Sequence, residues 1–124
     1  MTYDRWKGLL SEEHVDHAPD WASVNNAINR LDEKVYTLIF LEDESGSNLG
    51  IGGGPSGIVV TLYRESQHLV ARHGDDCEKI SIVIGGQDGD FPRKNVVTFE
   101  QAKNIARAYL QGVDVRTIAN WEKG

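Results

Sequence analysis

Within GIGGGPSGIVVTLY, residues 50–63, Gly52, Gly54 and Gly57 fall on the spacing G-x-G-x-x-G. In a dinucleotide site such glycines join a strand to a helix, whose N-terminal N–H groups and dipole hold the phosphates. Here Gly57 is followed by IVVTLY, a β-branched and aromatic run that reads as strand. With no helix after the glycines, the phosphate cradle lacks its positive end. No Gly-Lys-Ser/Thr occurs, which excludes a Walker A loop. The stretch reads instead as a hairpin connection. Glycines at 52–54 supply backbone freedom and Pro55 presets a turn corner. A bare glycine inside a strand also lets a helix or an aromatic ring approach the sheet closely.

The other candidate groups are four histidines, one cysteine and several acidic pairs. His14 and His17 lie three apart in an acidic segment, without an H-E-x-x-H frame or the three to four ligands zinc needs. His68 and His73 differ by an odd number, so on one strand they face opposite ways. His73 and Cys77 can meet across a turn, a thiol–imidazole pair with no third group to orient it. Ser56 has no assigned base, and no G-x-S-x-G occurs. Asp75-Asp76, and Asp88 with Asp90, fall in expected turns, and Asp88-x-Asp90 lacks the rest of a calcium loop. Together with Glu42, Asp43 and Glu44, these acids place negative charge on loops around a sheet, a surface suited to a basic partner.

The elements that must carry these groups follow from periodicity. Asp20 is an N-cap, and Trp21, Val24, Ala27, Ile28 and Leu31 follow at helical spacing, predicting a helix over 20–31. KVYTLIFLED, residues 34–43, reads as strand, and an acidic turn over 42–47 ends it. Further strands are expected over 48–52, 57–64, 67–72 and 78–85, joined by short turns into an antiparallel sheet. Gly85-Gly86-Gln87-Asp88-Gly89 reads as the turn after the last of these. Residues 96–112 combine a capping box, Thr98-x-x-Gln101, with an apolar stripe of Ala102, Ile105, Ala106, Tyr109 and Leu110, and stop at Gly112. Residues 1–18 are polar and weakly patterned, an expected loose arm or short helix. The resulting expectation is a single α+β domain over 1–124. Its antiparallel sheet of about five strands carries one helix from each end of the chain. Trp121, near the end of the sequence beside Glu122, is either a lid docked on the sheet or an interface anchor.

Composition bounds the function classes. Thirteen Lys and Arg against nineteen Asp and Glu give a formal charge of −6, which repels a phosphate backbone and suits a basic protein partner. No apolar run approaches the ~20 residues of a membrane span. The N-terminal residues lack the basic start and apolar block of a secretory signal, and the lone Cys77 makes no intrachain disulfide, so a cytoplasmic location is expected. No cofactor is expected.

The order of these motifs resembles a known family. A Trp21-led helix precedes YTLIFLE, then LGIGGG leads into a strand, and the chain closes with VTFEQAKNIARAYLQG and Trp121-Glu122. Most of residues 20–122 thereby resembles the first-numbered immunity protein family of bacterial polymorphic toxin systems, which includes partners of secreted deaminase toxins. Members often carry a proline ahead of the terminal Trp, and VRTIAN has none. The resemblance implies no reaction of its own, but binding of a cognate toxin and occlusion of its active site. The expected contact residues are Glu42, Asp43, Glu44, Asp75, Asp76, Asp88 and Asp90, with Trp121 and Glu122 secondary. Two other classes compete: a small enzyme or ligand-binding domain with a pocket near His73 and Cys77, and a structural subunit that associates through a sheet edge.

Overall fold

The computed structural model describes residues 1–124. Two antiparallel sheets carry nine strands, and two helices pack on the larger sheet. The chain opens with a hairpin, β1 (Thr2–Lys7) and β2 (Leu10–Val15), and continues into helix α1 (Trp21–Asn29). A meander follows: β3 (Leu38–Glu42), β4 (Asn48–Gly54), β5 (Gly57–Arg64) and β6 (Gln67–Arg72). Next come the hairpin β7 (Lys79–Ile84) and β8 (Gln87–Pro92), helix α2 (Phe99–Leu110) and the closing strand β9 (Asn120–Lys123). The large sheet has the order β2-β1-β3-β4-β5-β6-β9, and β7-β8 forms the small one.

The helices form where their caps specify. Asp20 Oδ1 accepts from the Ser23 amide at 2.8 Å, and the capping box is closed by Gln101 N to Thr98 Oγ1 at 3.1 Å and Thr98 N to Gln101 Oε1 at 2.9 Å. Both helices lie on one face of the large sheet. Val24, Ala27 and Ile28 of α1 and Ala102, Ile105 and Ala106 of α2 join Ile39, Leu41, Leu49, Ile51, Ile58, Val60 and Leu62 in one core. The strand residues in that core alternate, which is the period-2 pattern of a sheet covered on that side.

The α+β class, the antiparallel sheet and the two helices match the sequence reading, and the large sheet has seven strands against the about five expected. Residues 1–18 are not a loose arm. Thr2 pairs with Val15 and Lys7 with Leu10, through a turn at Gly8 with φ +63°. Both faces of these strands are polar, so no apolar alternation marks them. Cross-strand pairs hold them instead: Tyr3 stacks on His14 at 5.2 Å, and Lys7 Nζ meets Glu12 at 2.9 Å. The strand expected over 34–43 is also shorter. Asp32 Oδ1 accepts the amides of Lys34, Val35 and Tyr36 at 2.9–3.0 Å, curling that stretch before β3 starts at Leu38. Asp88 and Asp90 lie on a strand, β8, rather than in a turn, and Trp121 and Glu122 lie on β9.

The glycine-rich stretch is strand and turn, as expected, and an aromatic ring does approach it: a Cβ at Gly50 would sit 3.1 Å from the Phe40 ring, while the β7–β8 hairpin approaches Gly52 and Gly53. Gly54 pairs with Gly57 around Pro55-Ser56. Gly50, Gly52 and Gly54 leave the sheet's reverse face without side chains, and β7–β8 lies against it. A Cβ at Gly52 would sit 2.5 Å from Ile84 Cγ2. Ile82 and Val59 are buried between these two layers. Gly53 has φ +115°, and a Cβ there would collide with the Gly57 carbonyl oxygen.

Polar contacts fasten the second layer. The buried Thr37 hydroxyl accepts the Gly86 amide at 3.1 Å and donates to Asp4 Oδ2, which also accepts Trp6 Nε1 at 2.8 Å. Asp4 Oδ1 accepts the Thr37 and Leu38 amides at 2.7 and 3.0 Å. Glu33 bridges from the other side, taking the Val83 amide at 3.0 Å and the Ser56 amide at 2.8 Å.

Three substitutions test these local constraints. Gly53→Ala forces a left-handed backbone and a backbone clash at once, so urea denaturation should show a loss of more than about 2 kcal/mol. Gly46→Ala, at φ +84° with nothing within 4 Å of the new Cβ, should lose about 1 kcal/mol. Thr37→Val leaves the Gly86 amide unpaired and should lose about 1–3 kcal/mol in the same assay.

Candidate functional site

Strand register places the expected contact acids at different parts of the molecule. Glu42 pairs with Asn48, and Asn48 with Tyr63, so the 42–47 turn and the 65–66 turn share one end of the large sheet. β6 then runs away from that end, and Asp75 and Asp76 follow it at the opposite end. Asp88 and Asp90 stand on the outward side of the small sheet, opposite Val83 and Ser81. The seven acids do not form one cluster.

They also differ in what holds them. Asp43 closes its own turn: Oδ1 accepts the Ser45 and Ser47 amides at 3.0 and 3.1 Å, and Oδ2 accepts the Ser47 hydroxyl at 2.7 Å. Asp75 pairs with Arg72, and Asp76 accepts the Glu78 amide at 2.9 Å and faces Arg93 at 3.8 Å. Asp88 accepts the Ser81 hydroxyl at 2.9 Å. Glu42, Glu44 and Asp90 are exposed and have no hydrogen bond or ion pair within the chain. A carboxylate without an internal partner is available to an external cation.

Trp121 and Glu122 face opposite sides of β9. The Trp121 indole packs against the helix-side core and donates to the Val115 carbonyl at 3.0 Å. Glu122 accepts Asn95 Nδ2 at 2.8 Å and pairs with Lys94 at 3.3 Å and Arg72 at 3.6 Å. Both therefore tie the closing strand to the sheet.

His73 and Cys77 are not brought into one pocket. His73 lines a cleft of about 250 Å³ with Arg72, Gln101, Asn104 and Asn120, and its Nδ1 lies 3.4 Å from Gln101 Nε2. Cys77 is exposed outside that cleft, with Sγ 3.6 Å from the Asp75 carbonyl oxygen. The thiol–imidazole reading therefore has no geometric support. No group of three or more His, Cys, Asp or Glu side chains has a metal-binding arrangement.

The reverse face of the large sheet supplies a surface that the sequence reading did not single out. The small sheet covers only the Gly52–Gly54 side. Beyond it, Phe40, Glu42, Thr61, Tyr63, His68 and Val70 stand in open register across β3 to β6. The sequence signal was present in the alternation of β3, whose Phe40 and Glu42 oppose the buried Ile39 and Leu41. What it lacked was the extent of the cover.

The sequence model of the family described as Immunity protein Imm1 matches residues 12–121, a span from within β2 into β9 that includes both helices and strands β3 to β8. No curated protein and no solved structure matches the chain. No helix is long and apolar enough to cross a membrane.

Several carboxylates are held below their usual range, for structural reasons. Partial burial pushes Asp43 and Asp32 up, but hydrogen bonds from Ser45 and Ser47, and from the Tyr36, Lys34 and Val35 amides, outweigh it. Hydrogen bonds from Asn95 and Lys94 lower Glu122. The Arg116 guanidinium, donating to Asp114 at 2.8–3.0 Å, lowers it to about 2. A lowered folded pKa stabilises the fold above the unfolded value, near 4, and that stability is lost as pH falls through the folded value. Thermal melts should thus hold steady from about pH 7 to 5 and fall between about pH 4 and 2. Asp114→Asn should flatten the lower end of that fall, with a contribution on the order of 1 kcal/mol or less because the pair is open to solvent.

Proposed function

The chain belongs to the Imm1 family of immunity proteins, and from that premise we propose that it binds a cognate toxin in the cytoplasm of the producing cell and covers the toxin's active site. The single observation that carries this reading is the family match over nearly the whole chain. It performs no reaction and uses no cofactor. The toxin is a nucleic-acid deaminase with a basic face, and exposed carboxylates on the inhibitor take the places of nucleic-acid phosphates. The formal charge of −6 supports that part of the reading, because it speeds encounter with a basic protein and repels nucleic acid itself.

Among the expected acids, Glu42, Glu44, Asp88 and Asp90 carry the contact. Glu42, Asp88 and Asp90 open toward the reverse side of the large sheet or the layer upon it. Asp43, Asp75, Asp76, Trp121 and Glu122 serve chiefly to hold turns and the closing strand, through the partners described above.

The test is co-expression with the toxin domain encoded beside the gene. Survival of the cells and co-purification of a stable complex are expected. Reversing Glu44, Asp88 and Asp90 to lysine should weaken the complex about tenfold or more without shifting the melting temperature. Continued killing in cells that hold abundant, folded protein would refute the immunity reading.

A further inference from the structure

Phe40 is 37% exposed at the centre of the uncovered sheet face, lying over the bare backbone of Gly50. A hollow of about 250 Å³ on one side of it is lined by Thr2, Asp4, Glu12, Glu13 and Leu38, among others. A second, of about 320 Å³, is lined by Val15, Asp16, His17 and Glu42, among others. Phe40 and Thr2 line both, so the two hollows adjoin. Neither is lined by a lysine or an arginine. Within the chain, Glu13 and Glu42 have no hydrogen bond or ion pair, although Lys7 takes Glu12. The strand side chains on the open face include two unpartnered carboxylates, the rings of Phe40, Tyr63 and His68, and no unpaired lysine or arginine.

We propose that this face is the docking surface for the toxin, with Phe40 as its apolar anchor and lysine or arginine side chains of the toxin entering the hollows on either side. The proposal rests on the immunity reading and names the surface it uses. Charge decides the occupant. A second copy of this chain would bring its own acidic face against Glu13 and Glu42, with −6 on each molecule, and like charges repel. A basic protein finds an anchor to desolvate and two acidic recesses around it. That arrangement, an aromatic centre ringed by polar contacts, is how binding energy concentrates in protein interfaces. A guanidinium or ammonium beside the Phe40 ring also gains from its face.

The experiment is calorimetric titration of the catalytically inactivated toxin domain encoded beside the gene, at two salt concentrations. Glu13→Lys combined with Glu42→Lys should weaken binding about thirtyfold or more at low salt and flatten the salt dependence. Phe40→Ala should weaken it about tenfold or more with the salt dependence kept. Glu100→Lys, on the first turn of α2 and on the opposite side of the sheet, should stay within about twofold and serves as the charge-reversal control away from the face. Melting temperatures confirm that each variant is folded. Wild-type-like binding by both face variants would overturn this surface and leave immunity standing. Absence of a wild-type complex would overturn both. A toxin-free dimer of the wild-type chain that Phe40→Ala converts to monomer would assign the face to a second copy and overturn the proposal.

Discussion

The close approach of the β7–β8 hairpin to the bare side of β4 is the constraint from which the rest of the molecule follows. Gly52 leaves no Cβ on that side and Ile84 occupies the space, while Ile82 comes against Gly53 and Gly57. Any side chain at Gly52 would meet Ile84 at 2.5 Å, so the two layers come as near as backbone allows. Buried aliphatic surface drives that contact, and close packing makes it sensitive to a single methyl group. The approach also delivers the Gly86 amide to Thr37 and the Val83 amide to Glu33. The polar contacts are thus consequences of the glycine-lined face rather than independent features.

That contact explains the division of the large sheet. One face packs against α1 and α2 over its central strands and holds the main core. The other is covered over one half by the small sheet and open over the other, where Phe40, Thr61 and His68 reach solvent. The hairpin β1–β2 extends the open half and adds Glu13 to it. Its attachment runs through Asp4, which binds the start of β3, and through Trp6, which packs on the turn at Gly86. One carboxylate and one indole thereby add side-chain anchors to the β1–β3 backbone pairing.

The acidic character of the chain serves two purposes that the structure separates. Asp20, Asp32, Asp43 and Asp114 accept backbone or side-chain hydrogen bonds that cap helices and close turns. Glu13, Glu42, Glu44 and Asp90 have no such partner and leave their charge to the surroundings. Counting acids therefore overstates the charge free for recognition. Only carboxylates of the second kind are free to steer and seat a charged partner.

The sequence by itself determined the local elements whose causes are local. The capping box at Thr98 and Gln101, the N-cap at Asp20 and the strand spans 57–64 and 67–72 were all legible, because hydrogen bonds a few residues apart and turn residues close by decide them. The absence of a helix after Gly57 likewise sufficed to dismiss a phosphate loop. β1 and β2 were not legible because, although they pair with each other locally, their faces are polar, and β9 was not because it is short and pairs with β6 far back along the chain. Asp88 and Asp90 read as turn residues because Gly85, Gly86 and Gly89 surround them, yet β8 forms by pairing with β7. Only the tertiary structure decided which acids hold an internal partner and which half of the sheet stays open. Both depend on how far the second layer extends over the glycines, and no residue encodes that distance alone.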